Sequence, residues 1–148
     1  MHEDFHEADT RLKFLIEKAT SREKWNFTER LGLFSKNIRI QSDYDKNKIL
    51  LYYCEALKMQ SKGEELKKEI EIFNCIENPM FFAALCALKN DKDGFYTQIK
   101  KAAAVEKIEK NDLFDFREWP VFNEFRRDEN YKTNIEKIFD MRKELNAK

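Results

Sequence analysis

Residues 78–88 read Asn78-Pro79-Met80-Phe81-Phe82-Ala83-Ala84-Leu85-Cys86-Ala87-Leu88. Asn78 suits a helix N-cap, and Pro79 stands at the first helical position, where its missing N–H costs little. From Met80 onward the stretch is apolar nearly all round. A helix of that kind is usually covered on all sides, which predicts a central element with neighbours before and after it.

Working outward, polar breaks divide the chain into helical segments. Thr20-Ser21-Arg22, Gln41-Ser42-Asp43, Ser61-Lys62-Gly63 and Glu77-Asn78-Pro79 come first; Lys89 to Gly94, Glu109 to Asp112 and Arg127 to Asn130 follow. The intervals between alternate breaks carry the information. Ser42 to Asn78 is 36 residues and Asn78 to Asn111 is 33, while the interleaved set near Ser21, Gly63 and Asp93 is less regular, spaced by 42 and then 30. A period in the mid-thirties, split each time into two helices, is the mark of stacked helical hairpins. The segments are amphipathic at helical spacing. Phe5, Ala8, Leu12, Leu15, Ile16 and Ala19 mark the first; Trp25, Phe27, Leu31, Phe34 and Ile38 the second; Tyr44, Ile49, Leu50, Tyr52, Tyr53, Ala56 and Leu57 the third. Leu66, Ile70, Phe73 and Ile76 mark the fourth, and Phe95, Ile99, Ala102 and Ala103 the sixth.

These residues resemble the tetratricopeptide repeat family. Tyr52-Tyr53-Cys54-Glu55-Ala56-Leu57 looks like the first-helix core of such a repeat, with Ala56 as the small contact residue and Pro79 closing the unit. In the next unit Ala83-Ala84-Leu85 resembles the same small-residue site, and Asp93-Gly94-Phe95-Tyr96 the opening of the second helix. The stretch from Phe114 to Phe122 resembles the run-out that caps such arrays in bacterial proteins. No unit carries the family's full pattern of Trp, Gly, Tyr, Ala, Phe, Ala and Pro, and residues 8–41 match in length and helical pattern alone. The resemblance implies an all-α fold: antiparallel helical hairpins stacked as a short tetratricopeptide-like α-solenoid with C-terminal capping helices. It places one domain over residues 1–148, with units at 8–41, 42–77 and 78–110 and a cap at 111–148. It also implies a protein- or peptide-binding role, as an adaptor or regulatory domain of a bacterial system.

Composition agrees with helices. Three Gly and two Pro in 148 residues leave too few turn formers for a sheet protein, while charged residues reach 38%. Positive and negative side chains number 28 each. A nucleic-acid binder normally carries a basic excess to neutralise phosphates, so that class is disfavoured. No apolar run approaches the ~18 residues of a membrane span, and Met1-His2-Glu3-Asp4 lacks the basic and apolar regions of a signal peptide. No membrane partner and a cytoplasmic location are expected.

The motifs for chemistry are few. Cys54, Cys75 and Cys86 are odd in number, without C-x-x-C spacing, and set in apolar stretches; buried reduced thiols are expected. His2-Glu3-Asp4-Phe5-His6 matches the zinc-protease pattern H-E-x-x-H, two imidazoles on one helix face with a glutamate base. It begins at residue 2, where helix ends fray, and third-ligand candidates, such as Glu23 or Glu29, are weak. His2 and His6 are therefore weak metal candidates, and a small zinc hydrolase is an alternative that ranks behind the binding module. No phosphate-cradling Gly-rich loop and no nucleophile elbow is present, and no cofactor is expected. Basic clusters at Lys100-Lys101, Lys107, Lys110 and Arg126-Arg127 are interspersed with acids and read as a solvated mixed face.

The aromatic share, 14%, exceeds the needs of an aliphatic core and supplies recognition candidates: Tyr52, Tyr53, Phe81 and Phe82. Adjacent residues on a helix point different ways, so one of each pair is expected to face away from the core. Trp119 and Phe122 are expected to seal one end. A third alternative is a structural module that self-associates through exposed end faces.

Overall fold

The structure, a computed structural model, describes residues 2–40, 42–72, 78–105 and 108–147, with side chains placed for residues 10–40, 42–71, 78–105 and 108–143. The fold is all-α. In chain order the helices are α1 (His2–Ser21), α2 (Trp25–Ser35), α3 (Asp43–Met59), α4 (Gly63–Ile72), α5 (Pro79–Leu88), α6 (Lys92–Ala104), α7 (Lys110–Phe114), α8 (Asn123–Arg126) and α9 (Tyr131–Ala147), with a 3₁₀ turn at Pro120–Phe122 before α8. No strand occurs among the described residues.

Local chemistry sets the boundaries. The Ser42 side chain accepts from the Asp45 amide and opens α3. The Asn78 carboxamide oxygen accepts from the Met80 amide at 2.9 Å, with Pro79 at the first turn of α5. The Asp91 carboxylate accepts from the Gly94 amide at 3.0 Å and opens α6. Each cap satisfies one of the orphan donors of a helix start.

The chain forms two compact units, Met1–Asn74 and Cys75–Lys148. In the first, α1 packs on α2, α2 on α3 and α3 on α4; α1 also reaches α3. Packing of this kind between sequence neighbours is compatible with a helical repeat. Leu12 and Ile16 of α1 and Ile49 and Tyr52 of α3 form a core cluster, against which Leu31, Ile38 and Ile40 pack.

In the second unit α5 pairs with α6, and α6 with α9. The core is aromatic: Phe95 meets Phe122 at 5.0 Å and Phe125 at 4.9 Å between ring centroids, both edge-on. Trp119 stacks on Phe122 at 5.7 Å and meets Phe81 edge-on at 5.3 Å, so the two residues expected to seal an end close over α5. Trp119 adopts a left-handed backbone, φ 47°, a strained state for a bulky residue. A buried guanidinium organises this segment. Arg126 donates to the carbonyls of Leu113, Trp119 and Asp112 at 2.8, 3.1 and 3.0 Å, and to Asn123 Oδ1 at 2.7 Å. The five donors of the planar guanidinium suit several acceptors at once.

Candidate functional site

The four sequence-predicted aromatics do not form one surface patch. Tyr52 and Tyr53 are both buried, Phe81 is 1% exposed, and Phe82 reaches solvent at 36%. The outward-inward rule holds for Phe81 and Phe82. It does not hold for the tyrosines, because α3 has neighbours on more than one side. Tyr52 joins the cluster with α1 and donates to Glu17 Oε1, while Tyr53 lies against Gly32 of α2. Burial pushes the Tyr53 hydroxyl up to about 12, helped by the Glu69 and Glu29 carboxylates. A second departure is in α5: it is not covered on every side, since Phe82 is exposed and Leu85 half-buried.

The larger correction concerns α2. Its predicted apolar stripe was Trp25, Phe27, Leu31 and Phe34. The residues it buries are Thr28, Gly32 and Ser35, a stripe of small side chains. Trp25 and Leu31 are half-buried, while Phe27 and Phe34 stand 47% and 56% exposed. The close approach of the neighbouring helices is the reason. A Cβ at position 32 would lie 2.6 Å from Tyr53 Cβ, and the Thr28 and Thr20 hydroxyls meet at 3.4 Å against α1. Only small residues fit those seams, so the large apolar ones turn outward. In α1, Phe14 is 61% exposed, and Leu15, expected in the buried stripe, is exposed as well.

A cleft opens where α2 ends and α3 begins. It measures about 470 Å³ and is lined by Ser35, Lys36, Ile38, Arg39, Ile40, Asp43, Lys46 and Leu50. The Lys36 ammonium is spoken for: it pairs with Glu69 of α4 and lies over the Tyr53 ring at 4.8 Å from its centroid. Arg39 and Lys46 have no ion-pair partner among the described residues, and Asp43 is the one carboxylate in the lining. Arg39, Asp43 and Lys46 belong to no motif. The available signal was the density of cations between Lys36 and Lys46 around Ile38 and Ile40.

The metal candidates His2 and His6 lie outside the described side chains, as does Cys75. Of the proposed third ligands, Glu29 accepts two hydrogen bonds from Lys62, at 2.6 and 2.9 Å. No cluster of three metal-binding side chains occurs among the described residues. Cys54 is fully buried, and burial raises its thiol to about 12, with Glu69 adding and Lys36 opposing. Cys86 is half-buried, and burial and Asp91 raise its thiol above the ordinary value. No helix among the described residues is long and apolar enough to cross a membrane. No protein-family model matches this chain, and no curated protein or solved structure is detectably similar to it.

Proposed function

We propose that this chain is a non-catalytic helical module of tetratricopeptide-like type that binds a protein or peptide partner. The observation that carries this is the inverted face of α2. Phe27 and Phe34 are seven residues apart, two turns along one side of the helix, and both are about half exposed. Leu33 is exposed beside Phe34. Aromatic side chains are enriched at the centres of protein interfaces, where they give large contact area at small entropic cost. An adaptor or regulatory role agrees with this; so does the scarcity of catalytic motifs in the sequence.

Substituting buried Tyr52 or Phe81 would report on folding, whereas Phe27→Gln with Phe34→Gln alters a solvated face. Affinity capture with a photo-crosslinking residue at position 34 is expected to trap a discrete partner, and the double variant to lose it with an unchanged melting temperature. Retention of the same partner by the double variant would remove α2 as the docking face. Self-association is the second reading, favoured by the same exposed aromatics; light scattering across a concentration series separates a second copy from a different protein.

A further inference from the structure

We infer that the cleft between α2 and α3 is a binding site for a small organic anion, one carrying a phosphate or carboxylate on an apolar body. This goes beyond protein recognition and does not depend on it. Three observations combine. The first is size: about 470 Å³ falls within the roughly 300–1,000 Å³ typical of small-molecule pockets. The second is charge. Lys36, Arg39 and Lys46 face one carboxylate, Asp43, and the Lys36 charge is already answered by Glu69. Arg39 and Lys46 are left to set the sign of the cleft, and arginine presents the fork that fits phosphate and carboxylate oxygens in pairs. The third is the apolar part. Ile38, Ile40 and Leu50 are half-buried in the lining, and Ile38 and Ile40 pack on the Leu12, Ile16, Ile49 and Tyr52 cluster. A bare inorganic anion would leave that surface unused; a purely apolar molecule would gain nothing from the two cations. The lining residues come from the last residue of one helix, the connection that follows it and the first two turns of the next, which bounds the site to a compact ligand rather than an extended chain.

The experiment is a titration of the intact, isotope-labelled protein followed through its backbone amide spectrum. Phenyl phosphate, inorganic phosphate and benzyl alcohol are the probes, so anion and apolar body are present together and apart. The expected result is saturable movement of amides within residues 35–50 with phenyl phosphate, and binding at least about tenfold weaker for each of the other two. Arg39→Glu with Lys46→Glu, both on exposed side chains, is expected to weaken phenyl phosphate at least about tenfold. Asp43→Asn is expected to tighten it several-fold by removing the opposing charge. The proposal is overturned if phenyl phosphate leaves those amides unmoved, if the double charge reversal binds as the parent does, or if benzyl alcohol binds equally well. Saturable binding of an acidic hexapeptide at these amides, with phenyl phosphate inert, overturns it too and reassigns the cleft to a protein partner.

Discussion

At the residue scale, Gly32 is the position where two opposed effects can be weighed. Alanine in place of glycine gains about 1 kcal/mol of helix propensity in a helix interior. Here the added Cβ would sit 2.6 Å from Tyr53 Cβ and Cδ2, atoms close to the α3 backbone that cannot swing aside. Overpacking of this kind costs about 1–3 kcal/mol, so Gly32→Ala is expected to lower stability by about 1 kcal/mol net, read from urea unfolding. A gain in stability would mean that α2 and α3 are further apart than described. The Cys54 thiol gives a pH signature. It ionises near 9.0 when exposed in the unfolded chain and near 12 when folded. Between those values the unfolded state holds fewer protons and is favoured. The thiol's contribution is therefore fully present below pH 9 and lost as pH rises toward 12, by up to about 1.4 kcal/mol per pH unit. Cys54→Ala removes a small buried group and lowers stability throughout, but between pH 9 and 10 its stability is expected to fall less steeply than the parent's, the remaining slope coming from the Cys86 thiol, which is also raised. An unchanged slope between pH 9 and 10 in the variant would assign the alkaline loss elsewhere.

At the scale of the element, what was legible in the sequence was local. Asn78 caps the helix it was expected to cap, Ser42 of the second predicted break caps α3, and α1 ends at Ser21 within the first. A cap needs only a side chain and an amide two or three residues away, so the sequence contains the whole interaction. The face of α2 was not legible for the opposite reason. Two stripes run along it at helical spacing, one of large apolar residues and one of Thr28, Gly32 and Ser35. Which is buried depends on how near α1 and α3 come, a distance set by residues far along the chain. The same holds for Tyr52 and Tyr53: the neighbours that cover each belong to α1 and α2. The inversion makes a prediction that ordinary amphipathicity reverses. Thr28→Leu, apparently a better helix core residue, is expected to destabilise by about 2 kcal/mol. Leucine has no room beside Thr20, and the hydroxyl that donates to the Lys24 carbonyl is lost. A melting temperature raised by this substitution would return α2 to its predicted orientation.

At the scale of the whole molecule, each of the two units has a core of its own, and the cores differ in kind. The unit Met1–Asn74 relies on close helix seams and a cluster of aliphatic residues with Tyr52. The unit Cys75–Lys148 buries Phe81, Phe95, Phe122, Phe125, Tyr131 and Phe139 together, and Arg126 ties α7, the 3₁₀ turn and α8 through four hydrogen bonds. Tyr131 adds a bond from α9 to the Leu113 carbonyl at 2.6 Å. Chains of about this length bury only some 60% of the surface exposed on unfolding, so the quality of the core decides whether one is stable alone. Aromatic side chains bury the most area per residue, and their edge-on contacts add about 0.5–1.5 kcal/mol each. Expressed separately, residues 75–148 are therefore expected to melt cooperatively, with a higher midpoint than residues 1–74, and both to retain helical circular dichroism. Arg126→Ala in the intact chain removes four hydrogen bonds from the second unit, although the Leu113 and Trp119 carbonyls keep the Tyr131 hydroxyl and the Phe122 amide as donors. It is expected to lower the thermal transition of that unit by more than that of the first, followed by hydrogen exchange at α6 and α9 against α1 and α3. Equal loss of protection in all four helices would show that the two cores unfold as one, and the fragment carrying residues 75–148 would then have no cooperative transition of its own.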